Sequence, residues 1–177
     1  MEDQVFPKRC GHLSGKEVIA REDMQEKIRK MRRARDRHGK SFVIIARTDA
    51  RGAANVKESR QLDESIERGK AYLEAGADAI FPESLQSAAE FKRYRRSIDA
   101  PLLANMTEFG RTPWLTAKQF QALGFNIVIY PVSLFRIAAG RTQEALQCIR
   151  KHGNQRKMIA SMMDRERINR LLDYTPR

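Results

Sequence analysis

Short apolar runs recur along the chain, at Ser41-Phe42-Val43-Ile44-Ile45-Ala46, Ala77-Asp78-Ala79-Ile80-Phe81, Pro101-Leu102-Leu103-Ala104 and Phe125 to Tyr130. They are apolar nearly throughout instead of alternating, the pattern of parallel strands buried on both faces. Between them, apolar residues fall at helical spacing. Met24, Ile28 and Met31 lie at i, i+4 and i+7 of a helix predicted from about Lys16 to His38, with Gly39 as its stop. A polar segment over 51–61 leads to a predicted helix from Leu62 to Ala75, closed by Gly76. Ser87 can cap a helix running through Ser97, and Thr116 one from Ala117 to Leu123 with Gly124 behind it. A long helix is predicted from Ser133 to His152, broken by Gly153, before two short helical stretches at Gln155–Met163 and Arg165–Leu172. Gly69 falls inside the second helix, where it costs about 1 kcal/mol relative to alanine.

Polar residues gather just past the strand ends: Arg47 and Asp49, then Glu83, then Asn105 and Thr107, then Arg136. In a (β/α)8 TIM-type barrel that is the face on which active sites are built. A Rossmann-type open sheet is the competing arrangement, but the chain has no G-x-G-x-x-G and no P-loop to support it. The barrel is therefore expected, though only part of one. Four full strands are legible, with a fifth ending at Glu2 to Gln4, against the eight strands and about 250 residues of a complete barrel. The expected fold class is α/β, the later part (about five of eight βα units) of such a barrel. The upstream strands are missing, as in an N-terminally truncated chain. The expected organisation is one partial domain over 1–177, with 154–177 as a helical segment packing on the barrel.

Charge changes this picture little. A net charge of +12 points toward nucleic acid, yet its densest cluster, Arg29 to Arg37, surrounds the apolar stripe of the first helix. No aromatic residue interleaves it, as a base-stacking surface requires, so a solvated face is expected and nucleic-acid binding is not. No apolar run approaches the ~18 residues of a membrane span, and nothing resembles a signal peptide. Two cysteines do not make a disulfide framework, so a reducing compartment is expected, the cytoplasm or an organelle matrix.

The chemistry concentrates in Lys8-Arg9-Cys10-Gly11-His12. A thiol flanked by Lys, Arg and His sits in an electropositive setting, which favours the reactive thiolate. Cys148, on an amphipathic helix, reads as a packing residue, and His38 and His152 as helix-end residues suited to the dipole.

Six segments share one order with a known family: Glu2-Asp3-Gln4, Lys8 to His12, Ala46-Arg47-Thr48-Asp49-Ala50, Phe81-Pro82-Glu83, Leu103 to Gly110, and Tyr130 to Arg136. Together they closely resemble the 2-methylisocitrate lyases of the isocitrate lyase and phosphoenolpyruvate mutase superfamily. The Lys-x-Cys-Gly-His signature looks like the lyases and unlike the mutases and hydrolases. Asn105-Met106-Thr107-Glu108 is similar to the methylisocitrate branch. The resemblance implies a carbon–carbon lyase cleaving 2-methylisocitrate to pyruvate and succinate, in the methylcitrate route of propionate breakdown. It implies Cys10 as general acid, with Lys8 and His12 setting the charge around it. Cys10, Gly11, Arg47, Glu83, Asn105, Met106, Thr107 and Arg136 are implied as substrate-binding residues for a small tricarboxylate. Arg165 aligns with a family arginine that closes on the substrate, although the run Asp164 to Arg167 also reads as surface charge. Glu83 orients Arg47 or a metal-bound water, or is a salt-bridge partner on the rim.

The family uses Mg2+, with Glu2 matching a glutamate that meets the ion through water. Its direct aspartate ligands lie upstream of anything in this chain. A homo-oligomer, a tetramer in the family, is also implied. The segment Gly52 to Gln61 is longer than the family's loop beside Arg47, and Trp114 stands where relatives carry a smaller apolar residue. Three alternatives stay open: a non-catalytic half-barrel partner, another superfamily activity, and a basic binding module using Arg29 to Arg37.

Overall fold

The protein is described by a computed structural model covering residues 1–39 and 42–175, so Ser41, at the head of the first apolar run, lies outside the described residues. The four short strands are β1 (Ile45–Thr48), β2 (Ala79–Pro82), β3 (Leu103–Asn105) and β4 (Ile127–Ile129). β1 pairs with β2 in parallel from Ile45↔Ala79 to Thr48↔Pro82, and β3 with β4 from Leu103↔Ile127 to Asn105↔Ile129. A parallel bridge between Ile80 and Leu102 joins the two pairs, and another between Glu2 and Arg47 sets the N-terminal segment beside β1. Neighbours in space are thus neighbours in sequence, all parallel, without the reversal of strand order that defines a doubly wound sheet. This is the later part of a (β/α)8 barrel, five consecutive parallel segments wide.

The first strand lies further along than its apolar run suggests. Phe42 and Val43 are exposed, while Arg47 and Thr48 belong to the ladder. The first helix is also shorter: α1 spans Arg21–Arg37. Residues 16–20 cannot join it, because Val18 bridges Gln4, donates its N–H to Asn55 Oδ1 and accepts from Asn55 Nδ2 at its carbonyl. Along α1, Met24 and Ile28 are buried and Met31 packs beside them, with the basic residues on the outer side.

A 3-10 turn (Glu58–Arg60) precedes α2 (Gln61–Ala75). Next come α3 (Ala88–Ser97), capped by the Ser87 hydroxyl, and α4 (Ala117–Ala122), opened by a Thr116–Gln119 capping box. Their inner faces and the strands form one core that includes Ile44, Tyr72, Ile80, Leu102 and Tyr94. Phe91 meets Phe120 and Phe125 edge-on within it, at centroid separations of 5.3 and 5.0 Å. Gly69 has a packing reason: a Cβ there would lie 2.7 Å from the Tyr94 hydroxyl, where α2 and α3 approach.

The chain forms two compact units, Met1–Pro131 and Val132–Arg177. The first holds every element named so far. The second contains α5 (Ser133–His152), a 3-10 helix (Arg156–Ser161) and α6 (Arg165–Leu171). It begins ahead of residue 154, where the sequence reading starts its helical segment. No helix among the described residues is long and apolar enough to cross a membrane.

Candidate active site

Strand alternation puts Arg47 and Asp49 on one side of the chain as β1 ends. Asp49 is fully buried and takes two hydrogen bonds from Arg47, Nε to Oδ2 at 2.7 Å and Nη2 to Oδ1 at 2.9 Å. Arg47 Nη1 reaches Glu83 Oε2 at 3.0 Å, its Nε lies 3.3 Å from Glu2, and its guanidinium stands 5.1 Å above the Phe81 ring. Burial works against this charge, but the surrounding carboxylates outweigh it and raise the Arg47 pKa above its usual value. A second cation supports Asp49 from below: Lys16, with a fully buried side chain, places Nζ 3.2 Å from Oδ1. Burial pushes the Lys16 pKa down, with Asp49 acting in the opposite direction.

The loop bearing Cys10 is seated on this cluster through its backbone. The Gln4 amide takes both the N–H and the carbonyl of Arg9, at 2.8 and 2.9 Å. The Gly11 carbonyl accepts from the Ser84 hydroxyl at 2.6 Å. A Cβ at Gly11 would fall 2.3 Å from Glu83 Cγ, 2.5 Å from Arg47 Nη2 and 2.8 Å from Asp49 Oδ1, so only glycine lets the loop approach so closely. Ser84 holds a left-handed backbone (φ 60°) while its N–H donates to Glu83 Oε1 at 2.9 Å. Strained backbone of this kind at a non-glycine residue persists where its surroundings enforce it.

His12 lies between this loop and the strand ends. Its Nδ1 accepts the Arg111 backbone N–H at 3.0 Å, and an N–H can only donate, so the ring proton belongs on Nε2. That proton faces Glu83 Oε1 at 2.9 Å. The Asn105 amide nitrogen sits 3.3 and 3.4 Å from the two Glu83 oxygens, while its buried Oδ1 has no hydrogen-bond partner. Burial pushes the Glu83 pKa up, but His12, Arg47 and Asn105 outweigh it and hold the carboxyl down at about 2.

Of the residues singled out from sequence, Gly11, His12, Arg47, Glu83, Asn105 and Glu2 come together. Lys8 pairs with Glu2 at 2.7 Å and His12 with Glu83, so both side chains are engaged with carboxylates. Cys10 is a free, exposed thiol, and no hydrogen bond among the described residues reaches its sulfur. Met106 is buried in the core, its N–H on the Ile129 carbonyl, and Thr107 is buried just beyond it. Arg136 and Arg165 belong to the second unit, in the first turns of α5 and α6.

Four contributors escape sequence reasoning. Gln4 and Ser84 act by pinning backbone, and Arg111 acts with its own backbone, so their residue types carry no signal. Lys16 reads as the start of a helix. Asp49 was legible as a strand-end acid, two residues from Arg47 and so on the same side of the strand.

The donor set does not by itself fit a magnesium ion. The described residues contain no group of three or more His, Cys, Asp or Glu able to hold a metal, and Glu2 is already engaged by Lys8 and Arg47.

The family profile described as phosphoenolpyruvate phosphomutase matches residues 1–150. A probable 2-methylisocitrate lyase 2 of Corynebacterium glutamicum is 48% identical over 174 residues, covering 98% of this chain and 54% of that protein. The crystal structure of a 2,3-dimethylmalate lyase superposes with a TM-score of 0.85 at 33% identity, covering 98% of this chain and 56% of the other. A phosphonopyruvate hydrolase solved with oxalate and Mg2+ superposes at 0.75 and 31%, covering 98% and 57%. The chain spans about half the length of the curated relatives it matches. With its Cys-Gly-His loop seated on Arg47 and Glu83 at the ends of parallel barrel strands, the chain belongs to the phosphoenolpyruvate phosphomutase family of the isocitrate lyase superfamily.

Proposed function

We propose that the protein is a carbon–carbon lyase acting on 2-methylisocitrate, yielding pyruvate and succinate. One observation carries the reading. The glycine after Cys10 is packed against Arg47, Glu83 and Asp49, so the thiol lies one residue from a rigid, charge-dense strand-end cluster. In the reaction the substrate hydroxyl gives up its proton to solvent water. The bond from its carbon to the neighbouring carboxylate-bearing carbon breaks, and the electron pair stays on that second carbon. Cys10 delivers a proton there, completing succinate, and the thiol is restored from solvent.

Arg47 is locked in place by its carboxylates, and in this reading its remaining N–H groups meet a substrate carboxylate. The open Oδ1 of Asn105 is an acceptor for a substrate or water proton. Met106 and Thr107 follow it on the same strand end, and Arg136 and Arg165 enter the reading as further carboxylate forks. Lys8 and His12 act through Glu2 and Glu83, holding the loop and the carboxylates in register.

Mg2+ belongs to the reading as cofactor, supported by the magnesium complex of a solved relative. Glu2 is its one candidate contact here, through water, and no step above depends on it. A homo-oligomer and a cytoplasmic location complete the reading; sedimentation and cell fractionation test them.

Incubation with 2-methylisocitrate and Mg2+ is expected to release equal amounts of pyruvate and succinate. Cys10→Ser is expected to lower kcat by about 10²-fold or more while substrate binding persists, as for loss of a general acid. Unaltered kcat in Cys10→Ser would remove the assigned acid, and absence of both products would remove the reaction.

A further inference from the structure

Beside the strand-end cluster, the first unit carries a cavity of about 560 Å3. Its walls come from Ser14 and Gly15 behind the Cys10 loop, residues 51–58 after β1, Gln86 after β2, and Arg111 after β3. Most of the wall comes from the polar segment between β1 and α2.

The wall is built, not loose. Arg51 is fixed by Glu90, through Nη2 at 3.0 Å and Nε at 3.2 Å, and by Gln61 Oε1 through Nη1 at 2.8 Å. Gln61 also takes the Gly52 N–H at 3.0 Å and donates to the Ala53 and Val56 carbonyls at 3.0 and 3.3 Å. These bonds satisfy the Gln61 amide and pair the Arg51 charge with Glu90, which leaves the cavity's free charge to others. Lys57 and Arg111 supply it: both line the cavity, both are exposed, and no carboxylate among the described residues pairs with either. Glu58 is the one acid in the lining. The Arg111 guanidinium is held over Gly52, where a Cβ would come within 2.9 Å of Nη1, so its approach needs a residue without a side chain.

We propose that this cavity is an anion-binding subsite, distinct from the strand-end cluster, for a small molecule carrying a phosphate or clustered carboxylates. Lys57 and Arg111 are the cations that hold it. An occupant would touch the Ser14–Gly15 turn that ends the Cys10 loop and the residue whose backbone N–H holds His12.

Equilibrium dialysis against inorganic phosphate and, separately, citrate tests the proposal, with ionic strength held constant so that general screening is the same throughout. At least one probe is expected to bind saturably, and which one does so separates the phosphate from the carboxylate source. Lys57→Met and Arg111→Gln are each expected to weaken binding about tenfold, the loss expected for one charge-assisted contact, and the double variant to abolish it. Both side chains are exposed, so the melting temperature should not move. No saturable binding of either probe, or binding unchanged in the double variant, overturns the subsite. The measurement needs no turnover, so it stands or falls independently of the lyase reading.

Discussion

Glu83 is the residue on which the strand-end cluster closes. It accepts from Arg47, His12, Asn105 and the Ser84 backbone while almost wholly withdrawn from water. Its carboxyl, held at about 2 against an ordinary 4.5, stabilises the folded state only as long as it is ionised. The folded-state pKa is depressed, so this contribution is fully present above pH 4.5 and is lost as the pH falls toward 2. Its size is on the order of 3 kcal/mol. Urea unfolding of Glu83→Gln is therefore expected to show lower stability at neutral pH and a flatter acid limb between pH 2 and 5 than the parent. An unchanged acid limb would show that the ion pairs of Glu83 contribute nothing measurable.

At the level of elements, the N-terminal segment is tied down by a buried side-chain network that no periodicity announces. Asp3, fully buried, accepts the Asp49 N–H at 2.8 Å, the Tyr72 hydroxyl at 2.7 Å and Arg68 at 3.1 Å. Burial raises the Asp3 pKa and the three donors oppose that rise, so the network exists to make a buried carboxylate tolerable. Asp3→Ala leaves Arg68 and Tyr72 without that partner in the core, and is expected to cost about 3 kcal/mol in chemical denaturation. A loss below about 0.5 kcal/mol, the range of an ordinary surface substitution, would mean the network relaxes around the gap. The α2–α3 contact offers a second test. Gly69→Ala gains about 1 kcal/mol of helix propensity but sets a methyl group against the Tyr94 hydroxyl. Overpacking of this kind costs about 1–3 kcal/mol, so a net fall in melting temperature is expected; a rise would show that α3 yields without penalty.

For the whole molecule, the two compact units differ in how much they bury. α2 has eight buried residues and α5 none. Amide exchange follows local burial and contact density, so α5 is expected to exchange much faster than α2 by hydrogen–deuterium mass spectrometry. Equal protection would show that α5 is covered in solution. Much of this architecture was legible beforehand. Apolar runs such as Ala77 to Phe81 marked strands buried on both faces, helix-period stripes such as Met24-Ile28-Met31 marked the outer layer, and Arg47, Glu83 and Asn105 marked the strand ends, because period and residue type are local properties of the chain. Cys10 and Gly11 were legible as a motif, but Gly11's purpose was not: it depends on three side chains 36 to 72 residues away meeting where a Cβ would stand. Lys16 is the sharpest case. Its sequence neighbourhood suggests a helix start, whereas the fold buries its ammonium against Asp49 and begins the helix only at Arg21. The sequence by itself determined the layers and the chemistry of the strand ends; the tertiary structure alone decided which carboxylate each cation serves, because a charge pair is settled by distance and burial, and neither is encoded in spacing along the chain.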